Sequence, residues 1–181
     1  MRASLNFGLA ILIIFFSAVS SATFGDESSG KAFLGLGFVD ANGGDIDPIP
    51  LGVDYRFGLD NDFFQTNDLR MLAGILYWSE SISVVDFSVL ELTTGIEKVV
   101  DMDDFFINFG SRVGFASLSV EGGGASDSET KLMIAPFGEI LYPINYNMAV
   151  SGELRIPMYF GADYFDFMDI VYLLFGFNYI F

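Results

Sequence analysis

The sequence contains no cysteine and no histidine. The first absence excludes a disulfide framework and thiol chemistry, and suits a chain that passes through an oxidising compartment without stray bridging. The second removes the commonest general base and the commonest metal ligand. Positive charge is scarce as well: eight lysines and arginines stand against 24 aspartates and glutamates, for a formal net charge of −16. No basic patch is available, so nucleic acid is not expected as a partner. Beyond Ala22 no stretch reaches the roughly twenty uncharged apolar residues that a membrane-crossing helix needs. Yet 52% of the 181 residues are hydrophobic and 17% aromatic, with 21 phenylalanines. A chain this apolar and this acidic needs an explanation other than a cytosolic globule.

The first residues explain part of it. MRASLNFGLAILIIFFSAVSSA carries one basic residue, Arg2, then an apolar run from Phe7 to Phe16, then small residues ending in Ala22. This is the pattern of a secretory signal peptide, residues 1–22, cleaved after Ala22. Its apolar core is too short to cross ~30 Å of hydrocarbon at ~1.5 Å per residue. Residues 23–181 are then expected to form a single domain.

In that domain the apolar residues recur with period two. In PLGVDYRFGL one face carries Leu51, Val53, Tyr55, Phe57 and Leu59, and the other Gly52, Asp54, Arg56 and Gly58. FFINFGSRVGFA sets Phe105, Ile107, Phe109, Val113 and Phe115 against Asn108, Gly110, Arg112 and Gly114. NMAVSGELRIPM sets Met148, Val150, Leu154 and Ile156 against Ala149, Ser151, Glu153 and Arg155. The last segment puts Val171, Leu173, Phe175, Phe177, Tyr179 and Phe181 on one face. KAFLGLGFV and LRMLAGILYW follow the same rule more loosely. KLMIAPFGEILY follows it least well, and Pro136 suggests a bulge there. An eighth strand is expected between Ile82 and Thr93, where either Val85, Phe87 and Val89 face outward or a bulge shifts the register. Thr94–Asp104 reads as a connection with room for one helical turn. Asp40–Asp47 and Glu121–Glu129 read as Gly- and Asp-rich loops, and Pro143–Asn147 as a short turn. The oxygens of Asp40, Asn42, Asp45 and Asp47 lack the spacing of a calcium loop, so no metal is assigned.

Alternating strands also make a β-sandwich, and charge placement decides between the two. Arg56, Arg70, Arg112 and Arg155 all fall inside strands, opposite the apolar face. That face is otherwise rich in glycine and alanine, as a crowded, narrow interior requires, and Asp54, Glu139 and Glu153 share it. An arginine turned to lipid would cost about 2–4 kcal/mol at the bilayer midplane. Turned inward, its planar fork pairs two carboxylate oxygens at once. The expectation is an all-β, eight-stranded antiparallel up-and-down transmembrane β-barrel with a lumen charge network of Asp54, Arg56, Arg70, Arg112, Glu139, Glu153 and Arg155.

The closing alternation Phe175, Phe177, Tyr179, Phe181 resembles the final strand of bacterial outer-membrane barrels, and FGEILYPINYNMAVSGELRI looks like one of their hairpins. The chain resembles the small OmpA-, OmpX- and OmpW-type barrel families. The resemblance implies an outer-membrane location in a double-membraned bacterium, contact with outer-membrane lipids, and recognition of Phe175, Phe177, Tyr179 and Phe181 by the barrel-assembly machinery. It leaves two functions open. An OmpW-type barrel would be a narrow channel for small, mainly hydrophobic molecules, lined by Leu72, Leu76, Trp78 and Leu174. An OmpX- or OmpA-type barrel would be plugged, with acidic outer loops at Asp40–Pro48, around Glu80, at Glu121–Glu129 and at Tyr159–Met168 meeting ligands or host surfaces. Barrels of this kind that act as enzymes rely on a catalytic histidine, so no catalytic residue and no cofactor is expected, and nothing in the closed architecture calls for a second copy.

Overall fold

In the computed structural model the described residues are 28–41, 44–58, 69–161 and 170–181. The signal peptide expected at residues 1–22 and most of the aromatic stretch Tyr159–Phe167 lie outside them. The elements are β1 (Ser28–Ala41), β2 (Gly44–Ile46), β3 (Leu51–Gly58), β4 (Leu69–Ile82), β5 (Val85–Asp101), β6 (Phe106–Gly122), β7 (Ala125–Asn145), β8 (Met148–Arg155), β9 (Met158–Tyr159) and β10 (Ile170–Ile180). All pairings are antiparallel, β1 pairs with both β2 and β3, β7 with both β8 and β9, β8 with β10, and β10 returns to pair with β1. The expected barrel is the fold observed.

The ten elements make eight walls. β2 and β3 meet β1 in one register, and the break between them falls at Pro48 and Pro50, which have no N–H to give. Their carbonyls still serve, accepting from Gly37 N at 2.8 Å and Gly35 N at 2.9 Å. The β8–β9 break has a similar cause. Pro136 of β7 accepts from Ile156 N at 3.1 Å but returns no hydrogen bond, and Pro157 follows. The register of β7 against β6 runs through Pro136 without interruption, so the bulge expected there is absent; the irregularity falls between Pro143 and Asn145 instead.

Followed around the barrel, the registers close with a stagger of about ten residues. With strands ~4.7 Å apart and a rise of ~3.3 Å per residue, that stagger tilts the walls by about 40° and sets the backbone radius near 8 Å. Such a cylinder has room for side chains and little else. It also demands glycine on the inner face: a Cβ on Gly114 would lie 2.0 Å from the Leu92 carbonyl oxygen, which is backbone and cannot yield.

Two expected connections are strand. Thr94–Asp104 contains no helical turn; β5 runs through it to Asp101. Glu121–Glu129 is mostly the tip of the β6–β7 hairpin, reversed by Gly123 and Gly124, both at positive φ, which glycine adopts at little cost. Asp40 and Asp45 likewise pair across β1 and β2. The β5 alternatives are both overturned: Val89 is buried in the lumen, Phe87 packs beside it, and the register of β5 is unbroken on either side.

The outward face is a belt of large apolar side chains. On β10 it spans Val171 to Phe181, about 25 Å along the barrel axis at this tilt, the height of the apolar band of outer-membrane barrels. Phe175→Arg at mid-belt is expected to destabilise the folded state by about 2–4 kcal/mol in urea titrations in lipid vesicles. Above the belt, at the end opposite Ser28 and Phe181, outward residues turn polar: Ser79 and Ser81 on β4, Asp86 and Ser88 on β5, Ser117 and Ser119 on β6, Ser126 and Ser128 on β7. The β4–β7 strands therefore continue past the belt as a four-stranded sheet, by about 15 Å along β6.

Candidate functional site

The lumen holds two layers. The one nearer the chain termini is ionic. Arg112 of β6 grips Asp54 of β3 through both guanidinium nitrogens, each at 2.7 Å. Asp54 also faces Arg155 of β8 at 3.6 Å. Arg155 Nε donates to Glu153 at 2.7 Å. Lys31 of β1 bridges Glu139 of β7 and Glu153 of β8 at 2.7 and 2.5 Å. Arg56 of β3 reaches Glu139 at 2.7 Å and Glu97 of β5 at 3.4 Å. Asn108 donates to Glu139 at 2.9 Å, and Asn178 accepts from Arg56 at 3.2 Å while donating to Ser151 at 3.0 Å. Phe33 lies under both Lys31 and Arg155, and Phe137 under Arg112, so cation–π contact completes the cage.

Every charged member of this cage is no more than 1% exposed. Burying such groups is costly unless each finds its opposite with good geometry, and the inward period of six walls supplies the opposites. Of the network residues named from the sequence, Asp54, Arg56, Arg112, Glu139, Glu153 and Arg155 are brought together. Arg70 is half-buried at the start of β4, directly opposite Glu97.

The upper layer is apolar. Leu76, Trp78 and Leu174 pack there with Val39, Ile46, Val89, Leu118 and Met133, and Leu72 is buried on the same face of β4. Leu72, Leu76, Trp78 and Leu174 are each no more than 1% exposed. A small polar knot crosses the layer: Trp78 Nε1 donates to the Tyr172 hydroxyl at 2.7 Å, and Tyr172 and Tyr159 both donate to Glu91 of β5, Tyr172 at 3.2 Å.

Lys31, Glu91, Glu97 and Asn178 join the lumen without having been singled out in the sequence. Lys31 shares its parity with Gly35 and Gly37, and that alternation could have placed it. Glu91 and Glu97 alternate with Leu90, Leu92 and Ile96, a pattern that emerges only along the whole of β5 to Asp101. On the outer face Phe175, Phe177, Tyr179 and Phe181 are exposed, with the Tyr179 and Phe181 rings edge to face at 5.3 Å.

No protein-family model matches the chain, and no curated protein matches it. Solved structures do. Neisserial surface protein A aligns over 84% of this chain and 95% of its own, at 12% identity and a TM-score of 0.67. The attachment invasion locus protein Ail of Yersinia pestis aligns over 87% and 100%, at 15% identity and a TM-score of 0.58, and Ail has also been solved with the heparin analogue sucrose octasulfate. The outer membrane enzyme PagL aligns over 83% and 97%, at 14% identity and a TM-score of 0.51. At these identities the likeness is one of fold: this chain is built as the small eight-stranded outer-membrane barrels are.

Proposed function

We propose that the protein is a closed outer-membrane barrel of a double-membraned bacterium, whose lumen is a structural core and whose work is done at the outer surface. The single observation that carries this is the ionic cage: seven walls contribute charged or amide groups to one cross-section, and none of the charges there is reached by water. A channel for small molecules, the other function the sequence left open, would need a path through both layers. The apolar residues that would line it are packed against one another. A catalytic role meets the same obstacle, since Glu91 and its two tyrosines are enclosed. In this reading the apolar belt meets outer-membrane lipid, Phe175, Phe177, Tyr179 and Phe181 serve the assembly machinery, and the chain works as a monomer because β1 and β10 close its own edges.

Names of the structural relatives point the same way, to a surface protein and to an attachment protein. The ligand chemistry differs from that of Ail. Asp40, Asp45, Asp47, Glu80, Asp86, Glu121, Asp127 and Glu129 all lie at the outer end, where Lys131, paired with Glu129 at 2.9 Å, is the cation among the described residues. A polyanion would be repelled, and a cationic partner drawn in.

The test is conductance of the refolded protein in a planar bilayer, with folding verified by heat-modifiable gel migration. Silence is expected. Discrete openings whose size changes when Arg112 is substituted would restore the channel.

A further inference from the structure

Glycine on the inner face of the walls answers to crowding, as Gly114 does. Gly138 of β7 and Gly152 of β8 do not. Both turn outward in the middle of the apolar belt, and a Cβ on either would meet nothing within 4 Å. Neither sits at a bulge: the pairings of Gly152 with Ile140 and Phe175, and of Gly138 with Phe109 and Leu154, belong to registers unbroken at those points. A strand glycine without crowding or a bulge to explain it marks a place where something else comes close to the backbone.

The tilt of the walls turns the gap at Gly152 into an upright slot. Rows of paired residues climb toward the outer end from β1 through β3 and β4, so a step from β8 to β7 descends. At a tilt of about 40°, Leu173 stands about 8 Å above Gly152 and Tyr142 about 8 Å below it, nearly along the barrel axis. Leu154 and Ile140 form a column on one side, Phe175 and Val150 a column on the other, about 8 Å apart. That spacing admits one hydrocarbon chain at a carbon–carbon contact of ~4 Å on either side. Ile140, Tyr142, Val150, Phe175 and Phe177 line one recess with Gly152, and none of them is charged. From Gly152 the recess runs down toward Tyr142 and Phe177, the end of the barrel that holds Ser28 and Phe181. Gly138 lies in the next column, behind Leu154 and Ile140.

The recess is continuous with the belt, so on the outer-membrane reading lipid borders it on every side. A second copy seated here would bring Asp40, Asp45 and Asp47, exposed at the outer end of the adjoining walls, against their own images. A flexible, uncharged chain meets no such repulsion.

Resting on the outer-membrane reading, we infer that the recess at Gly152 is a binding site for one acyl chain of a membrane phospholipid, entering from the half of the bilayer at the Ser28–Phe181 end. Gly152 supplies the room, and the flanking columns supply dispersion contact along the chain.

The experiment uses the refolded full barrel in phosphatidylcholine vesicles that contain a small fraction of phosphatidylcholine with a diazirine partway along one chain. After illumination, mass spectrometry counts lipid adducts on outward residues. Adducts on Ile140, Val150 and Phe175 are expected to exceed those on Ile96, exposed at similar depth on the opposite wall, by about threefold or more. Gly152→Leu should fill the slot and abolish the excess, while Gly138→Leu, one column away, should leave it. Heat-modifiable gel migration verifies that both variants fold. Even labelling around the belt, an excess that survives Gly152→Leu, or barrel-to-barrel adducts in place of lipid adducts would each overturn the inference. The two readings fail separately: even labelling retires this site alone, and a belt without any lipid adduct retires the membrane reading with it.

Discussion

Replacing Glu153 by alanine is expected to lower the stability of the folded barrel by about 3–5 kcal/mol, the usual cost of removing one partner from a buried ionic cluster. Glu153 is the carboxylate on which three cations converge: Lys31 at 2.5 Å, Arg155 at 2.7 Å and Arg112 at 3.8 Å. Without it Lys31 retains only Glu139, while Arg155 and Arg112 must share Asp54, and none of these groups has solvent to fall back on. Urea unfolding in lipid vesicles measures the change, with Trp78, the chain's one tryptophan, as the fluorescent reporter buried in the lumen. A loss below about 1 kcal/mol, the range of solvated ion pairs, would show that water reaches the cage and that the lumen is not sealed there.

Trp78→Ala is expected to cost a similar amount, about 3–5 kcal/mol, for a different reason. The indole is the largest fully buried side chain, and its loss opens a void among Leu76, Val89 and Leu174 and removes the donor that holds Tyr172. Because the reporter is lost, circular dichroism follows the unfolding. The informative second readout is conductance. On the closed-barrel reading the ionic and apolar layers act in series along the lumen, so Trp78→Ala and Glu153→Ala should each remain silent in a planar bilayer. Their combination is the variant in which openings should first occur. Openings in Trp78→Ala alone would mean that the ionic layer does not close the lumen.

The sequence made the barrel legible wherever the two faces differed sharply. Leu51–Gly58 alternates large apolar residues with Gly52, Asp54, Arg56 and Gly58, and Asp54 and Arg56 fall inward as period two requires. β5 shows the limit. Its upper half turns Phe87 and Val89 inward, with Val85 on the same face at the hairpin tip, apolar residues that look lipid-facing when the interior is taken to be polar throughout. Its lower half returns to the expected rule with Glu91, Thr93 and Glu97 inward, but the chain must be followed to Asp101 for the pattern to emerge. The ionic layer was legible for a related reason: an arginine inside a strand is costly enough on one face to announce the other. Which carboxylate each arginine takes was not legible, because Asp54 meets Arg112 across the width of the lumen, from a wall it does not pair with. The projecting sheet was hidden by its own tips, since Gly122–Gly124 and the surrounding serines and acids have the composition of a loop while holding a strand register.

The ionic cage joins residues far apart along the chain. Lys31 lies 108 residues from Glu139 and 122 from Glu153, and Arg56 lies 122 residues from Asn178. A barrel with its later walls missing would hold Lys31 without either of its carboxylates and Arg56 without Glu139, and an open sheet would turn those cations toward hydrocarbon. Lys31 of the first wall meets Glu139 and Glu153 only when β1 reaches β10 and the cylinder shuts. Such a charge pattern makes an open, partly built sheet costlier in hydrocarbon than the completed ring.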